Sequence, residues 1–373
     1  MSINLAQLKR FDSLLFILMI LLIVIGLTVL YSLSLATQTA GLNNFTKQFI
    51  FTLVALVIFS FICFIDFRFF RTTAYWIYIL TIILLVVVLF AGETFRNVKG
   101  WLNFGFFNFQ PSELAKLAVI MLLAKFWQEA RQPVRLKDIL ISFILVFPSI
   151  YLIMLQPDLG SALAIIILWL GILFLVDRNK KHILGLLLII ILISTMAWLF
   201  FLEPYQKDRI LTYIDPQGDP LGRGYQITQS MVAVGSGQIT GRGFGLGPQS
   251  QLHFLPAPDT DFIFAVMAEE FGLIGSFLLL GLYTFFIYRL LKISLLVYDN
   301  FSLVFILGVA IYFFIQMVIN IGMNIGLVPV IGLPLPFVSY GGSSLLISII
   351  TVAIVESIII YQPFTKNKDM VSL

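Results

Sequence analysis

Residues 12–32 read DSLLFILMILLIVIGLTVLYS, and no charged side chain follows Asp12 in that run. A helix that crosses bilayer hydrocarbon needs about 20 mostly apolar residues, so this stretch is long enough to span. Working outward, nine further runs of the same kind follow at 47–65, 74–91, 112–127, 138–155, 160–176, 183–202, 262–288, 301–321 and 339–361, the fourth and sixth spans being the short ones. The first run follows Lys9 and Arg10 without a small-residue cleavage site leading to a soluble domain, so it reads as retained rather than as a signal peptide. The expected fold is all-α, a polytopic membrane protein of ten transmembrane helices forming one integral membrane domain over 1–373.

Composition agrees with that reading. The 373 residues are 60% apolar and 11% charged, with a mean hydropathy of +1.02. A soluble protein draws about a quarter of its residues from Asp, Glu, Lys and Arg, so this chain cannot cover a water-facing globule of its size. Cys63 is the single cysteine, which excludes an intrachain disulfide framework and a thiolate metal cluster. His182 and His253 lie far apart, which argues against a histidine-rich metal site or a Ser/His hydrolase. The net charge of +4 is dispersed over loops, so nucleic acid is not an expected partner.

Basic residues in short loops stay cytoplasmic. With the N-terminus inside, fifteen of the 23 Lys and Arg fall on the inner side, including Arg68, Arg71, Arg135, Lys180, Lys181, Arg289 and Lys292. Both termini are therefore expected in the cytoplasm. The segment 203–261, between the seventh and eighth spans, is then a long extracytoplasmic loop carrying Lys207, Arg209, Arg223 and Arg242. Long translocated segments escape the charge rule, so these cations ask for a reason of their own. Tyr225, Ile227, Met231, Val232 and Phe254 are spaced for short re-entrant helices, and the loop is expected to be ordered against the outer face.

Several outer-end motifs could carry chemistry. The fourth span opens Gln110-Pro111-Ser112-Glu113-Leu114-Ala115-Lys116, where Glu113 and Lys116 share a helix face and either pair structurally or wall a cavity. Gln156-Pro157-Asp158-Leu159-Gly160 opens the sixth span, and Asp158 is explained by itself as a helix cap. Pro256-Ala257-Pro258-Asp259-Thr260-Asp261-Phe262 leads into the eighth span. There Asp259 and Asp261 read either as N-terminal caps or as a general-base site at the bilayer boundary. Glu269 and Glu270 follow, pointing in different directions, with their role open. Glycines 235 to 247 around Arg242 are a tight loop or an anion nest, and a dinucleotide site is weak there.

Trp101-Leu102-Asn103-Phe104-Gly105 through Lys116, then Gln156 to Gly160, Thr260-Asp261-Phe262-Ile263-Phe264, and Pro336-Phe337-Val338-Ser339-Tyr340-Gly341-Gly342-Ser343 together resemble the SEDS (shape, elongation, division and sporulation) family. Gln249-Ser250-Gln251-Leu252-His253-Phe254-Leu255-Pro256 and Asn320-Ile321-Gly322-Met323 look more like its elongation branch, RodA, than its division branch, FtsW. The resemblance implies a peptidoglycan glycosyltransferase of the bacterial cytoplasmic membrane. Such an enzyme polymerises lipid II into β-1,4-linked glycan strands on the outer face during cell-wall elongation, releases undecaprenyl pyrophosphate, and works with a class B penicillin-binding protein. It implies Asp261 as the catalytic acid, Trp101 as the family's outer-loop tryptophan, and Glu113, Lys116 and Asp158 as its polar cavity. Gln249, Ser250, Ser339 and Tyr340 are further substrate-binding candidates, and Arg209, Arg223, Arg242 or Lys116 could supply the positive charge that a pyrophosphate leaving group needs. No organic cofactor is expected; a divalent ion, Mg or Mn, could neutralise the pyrophosphate, its identity being unknown. Ala257 and Asp259 stand where relatives commonly have Glu and His, so any helper role of those positions is absent or changed. The rival classes are a lipid II flippase, which the absence of an inverted repeat disfavours, and a scaffold that only recruits a transpeptidase.

Overall fold

The computed structural model describes residues 10–36, 43–95, 98–105, 107–129, 134–177, 179–196, 199–200, 207, 211–213, 215, 218 and 222–362. The chain is mostly helical, at 74%. Helices α1 (Ser13–Ala36), α2 (Asn44–Cys63) and α3 (Phe67–Ala91) precede a small meander of β1 (Glu93–Phe95), β2 (Val98–Asn103) and β3 (Asn108–Phe109). Then come α4 (Pro111–Trp127), α5 (Leu136–Met154), α6 (Leu159–Val176), α7 (Lys180–Met196), α8 (Arg223–Ser236), α9 (Pro248–Gln251), α10 (Ile263–Ser294), α11 (Asn300–Asn324) and α12 (Gly342–Tyr361). Each of the ten expected apolar runs overlaps one of these helices, the end of the seventh run (183–202) lying partly outside the described residues. Eight are long and apolar enough to cross a membrane; α4 and α7, of 17 residues each, fall short of that length.

Burial divides the helices by role. On α2 only one narrow stripe is buried (Gln48, Thr52, Ala55, Phe59, Cys63), while Phe49, Leu53, Val57 and Phe61 face outward. Outward-facing apolar side chains at that density suit lipid and not water. By contrast, α4, α11 and α12 are buried almost all round and form the centre of the bundle. Between helices in lipid the gain comes from close packing, not from escaping water. Gly26 and Gly308 serve that packing, since a Cβ would lie 2.6 Å from Val338 Cα and 2.9 Å from an Ile120 methyl respectively.

Polar contacts collect at two ends. At one end Arg289 pairs with Asp12 at 2.6 Å, Arg71 with Asp299 at 3.1 Å, and the Asn300 amide donates to the Gln128 carbonyl. The opposite end carries the meander, α8, α9 and the loops before α10 and α12. Here the structure departs from the sequence reading twice. The meander, paired Glu93 with Trp101 and Leu102 with Phe109, adds strands to an otherwise helical fold. The eighth span, expected to run unbroken over 262–288, is interrupted at Gly272 (φ 65°, ψ −159°).

That interruption is stitched to the neighbouring loop. Leu273 and Ile274 donate backbone N–H bonds to the Gln238 and Ile239 carbonyls at 2.9 and 3.2 Å, while Arg242 and Gly243 donate to the Glu269 and Glu270 carbonyls at 2.9 and 3.0 Å. Backbone groups released by a broken helix are tolerated in a bilayer only where protein satisfies them, and these four bonds do so. The close crossing requires glycine on both sides. A Cβ on Gly272 would sit 2.4 Å from Gly241 N, and one on Gly241 would sit 2.1 Å from Glu270 O.

Candidate active site

The residues immediately before α10 form a turn whose backbone is held at three consecutive carbonyls. Asp259 O accepts from the Tyr340 N–H at 2.8 Å, and Thr260 O accepts from the Ser339 hydroxyl at 2.7 Å. Asp261 O accepts from two side-chain amides of α11, Asn324 Nδ2 at 3.0 Å and Asn320 Nδ2 at 3.2 Å. Both asparagines are fully buried. Asn320 also donates to Leu333 O at 2.8 Å, so it ties the acid-bearing turn to the loop that precedes α12.

That loop is itself braced. Gln48, buried on α2, donates to Ser339 O at 3.2 Å and accepts from Gly341 N at 3.1 Å. Tyr283 donates to Pro336 O. Phe337 is only 2% exposed, stacked on Phe313 at 5.1 Å and edge-on to Phe286 at 5.6 Å. Its φ of 65° is costly for a bulky L residue, about 1–3 kcal/mol. Two aromatic contacts of roughly 0.5–1.5 kcal/mol each offset it. Ala257 is left-handed too, at φ 50°.

Asp259 accepts from Asn44 Nδ2 at 2.6 Å, which joins the turn to the start of α2. Burial first, and then the Asp259 carboxylate, push the Tyr340 phenol above its ordinary value, so it stays a neutral donor. Asp261 and Asp259 are half-buried at this end.

The other candidates fall into two groups. Trp101, half-buried on β2, packs edge-on to Phe95 with centroids 6.5 Å apart. Its meander reaches the same loop through Ser343, which donates to Asn108 O at 2.8 Å and accepts from Gln110 N at 3.1 Å. Below it, Asp158 accepts from Gln110 Nε2 at 3.3 Å, Ser112 Oγ at 3.2 Å and Ser161 N at 3.0 Å, the last as the cap of α6. One turn deeper, Lys116 donates to Glu113 at 2.7 Å, with the side chains 0% and 2% exposed. Around this pair Tyr312, Gln316 and Ser348 are buried polar side chains, with Lys116 Nζ 5.9 Å from the centre of the Tyr312 ring.

The second group sits against the Gly272 break. Gln249 and Ser250 donate their N–H groups to Glu269 at 2.8 and 3.0 Å, so a fully buried carboxylate anchors α9. Glu270, turned the other way, accepts from Ser32 Oγ of α1 and from Gln251 Nε2. The two adjacent glutamates thus hold the loop from opposite sides. Arg242 is exposed beside them, Arg223 is the first residue of α8, and Arg209 lies outside the described residues.

Sequence reading passed over Gln48, Asn44 and Asn324. A signal was available: Asn320, in the ninth span, and Asn324, just past its expected end, are spaced to share one helix face, and buried polar side chains inside a bilayer rarely lack a task. Among the described residues there is no group of three or more His, Cys, Asp or Glu that could hold a metal ion.

With this geometry in view, the likeness to known proteins is specific. Escherichia coli K12 peptidoglycan glycosyltransferase MrdB is 41% identical over 291 residues, covering 78% of this chain and 79% of that one. Bacillus subtilis stage V sporulation protein E is 36% identical over 361 residues, covering 95% and 98%. Among solved structures, a chain from work described as "Structural coordination of polymerization and crosslinking by a peptidoglycan synthase complex" superposes with a TM-score of 0.80 at 30% identity, covering 95% of this chain and 99% of that one. The Thermus thermophilus rod shape determining protein RodA gives 0.70 at 27% identity, covering 95% and 98%. Residues 12–363 match the family described as FTSW_RODA_SPOVE, cell cycle protein. Sequence, fold and the placing of the motifs agree, and the chain belongs to the FtsW/RodA/SpoVE family.

Proposed function

We propose that this chain is a peptidoglycan glycosyltransferase of the elongation type, which polymerises lipid II at the outer face of the cytoplasmic membrane. Ten membrane crossings place both termini inside and bring the acid-bearing turn to the extracytoplasmic side. Asp261 takes the proton from the acceptor sugar's 4-hydroxyl, and that oxygen bonds to the anomeric carbon of a second lipid-linked disaccharide. The bond from that carbon to the pyrophosphate oxygen breaks, and undecaprenyl pyrophosphate leaves with the electron pair. One displacement of an α-linked pyrophosphate inverts the centre and gives the β-1,4 link.

A pyrophosphate is already a weak base, so the leaving group needs positive charge more than a proton. Arg242, Arg209 and Arg223 of the long loop supply it, since Lys116 is fully buried against Glu113. A divalent ion, if bound there, would add positive charge at the leaving group. Trp101 offers a flat apolar face to a sugar ring, and Ser339 and Tyr340 fix the wall opposite the acid. With both lipid tails in the bilayer, the two head groups meet as positioned reactants. A class B penicillin-binding protein is the partner that cross-links the product.

The observation that best supports this reading is the triple anchoring of the 259–261 carbonyls, which holds one carboxylate-bearing turn rigid at the end of the bundle where the family motifs converge. Asp261→Asn should abolish glycan synthesis from detergent-solubilised lipid II by the purified, partner-bound protein, with folding intact. Detergent leaves no membrane to cross, so product there requires a polymerase and not a flippase. Normal chain growth by the variant removes Asp261 from the chemistry.

A further inference from the structure

The first turn of α10 lacks a cap of its own. Its N-cap residue is Phe262, whose side chain accepts nothing, and a helix start leaves N–H groups that need an acceptor. At the third helical position the Ala265 N–H, fully buried, donates to Asn324 Oδ1 at 3.1 Å. The same amide donates through Nδ2 to Asp261 O at 3.0 Å and to Asn320 O at 2.7 Å. Ser230 of α8 donates to the Asn324 carbonyl at 2.8 Å, fixing the end of α11 from which this side chain projects.

We infer that Asn324 is a positioning residue: an N-cap lent by α11 to α10, whose one amide group satisfies the helix and at the same time holds the Asp261 peptide just outside it. The sequence makes Asp261 a natural cap, since carboxylates beside helix starts take that role. At the Ala265 N–H the role is filled by a neutral amide from another helix. Asn320 adds the second bond to the same carbonyl at 3.2 Å and fixes the direction in which that peptide lies. Removing Asn324 orphans a buried N–H within reach of the segment that carries the acid. The Asp261 peptide then loses one of the two bonds that fix its direction, and its side chain shifts off its line to the acceptor hydroxyl. A displacement of about 1 Å at a reacting group costs about 10²-fold in rate.

This inference rests on the reading of Asp261 as the base, and the test separates the two. Asn324→Ala and the isosteric Asn324→Asp, which keeps an acceptor for Ala265 but loses the donor to Asp261, are purified with their partner and assayed on lipid II beside Asp261→Asn. Both Asn324 variants are expected to lose at least about tenfold in kcat with KM changed less than about threefold, because binding groups elsewhere are untouched. A second readout does not depend on catalysis. In a Cys63→Ala background, Asp261→Cys is labelled with a membrane-impermeant maleimide, and adding Asn324→Ala, which frees the residue-261 carbonyl, should change the labelling rate severalfold. If Asp261→Asn stays active, the base reading fails while the labelling arm still reports on position. If Asp261→Asn is dead but both Asn324 variants keep wild-type kcat and unchanged labelling, the positioning role is overturned alone. Loss of folded protein in both variants, or an effect on KM only, also overturns it, since either result assigns Asn324 to general packing or to binding.

Discussion

Lys116 and Glu113 form a 2.7 Å ion pair with 0% and 2% of their side chains exposed, and that burial sets the size of a decisive experiment. Changing Lys116 to Met strands a carboxylate among Tyr312, Gln316 and Ser348, none of which brings a positive charge. Breaking a buried pair from one side costs about 3–5 kcal/mol, and replacing both partners with apolar groups of similar volume is often neutral. Lys116→Met and Glu113→Leu alone should each lower stability by about that amount, and the double variant should lie within about 1 kcal/mol of wild type. The readout is reversible unfolding in mixed micelles, run with glycan synthesis on the same preparations. Stability regained with activity means the pair is a packing fixture. Stability regained without activity means the charged wall touches substrate. If either single variant is as stable as wild type, the pair is not buried as described and the reasoning fails.

Three further outcomes follow from the geometry. Gly272→Ala adds a Cβ 2.4 Å from Gly241 N at a left-handed residue, so a loss of about 3 kcal/mol or more is expected on unfolding, whereas Gly235→Ala, with nothing within 4 Å, should be neutral or slightly stabilising. Glu269→Gln removes one of two charge-assisted bonds to α9; at about 2 kcal/mol, amide exchange at Gln249 and Ser250 should rise about 30-fold. Tyr340 holds its proton to higher pH in the folded chain than in the unfolded one. Its contribution is therefore present below the ordinary phenol range and shrinks as pH rises through and above about 10. With Tyr340→Phe as the blank, Asp259→Asn should let the phenol ionise at lower pH, read from tyrosinate absorbance; an unchanged titration would detach the two groups.

The helices were legible because a bilayer imposes one length and one composition on whatever crosses it, and Asp12–Ser32 states both without a competing period. The acid-bearing turn was legible too, since Pro256, Pro258, Asp259 and Asp261 in six residues cannot continue a helix. What the sequence hides is pairing across distance. Glu269 and Glu270 look equivalent in the chain, yet one takes two backbone N–H groups of α9 and the other joins α9 to α1 through side chains, a choice made by packing. Gly272 sits in an apolar run that gives no warning of a break, because the reason lies at Gly241 in the loop that crosses it. The meander at 93–109 leaves no strand signal in the sequence, its strands being too short for alternation to register.

The seam at Gly272 also decides what moves with what. Above it, the stretch of α10 that follows the acid has its last carbonyls bonded to Arg242 and Gly243; below it, the first N–H groups answer to Gln238 and Ile239. Force applied to the 238–243 crossing is therefore delivered to both sides of the break at once, like a hinge pin driven through two leaves. A load on that crossing would thus be shared between the short stretch that follows the acid and the longer shaft beyond the break.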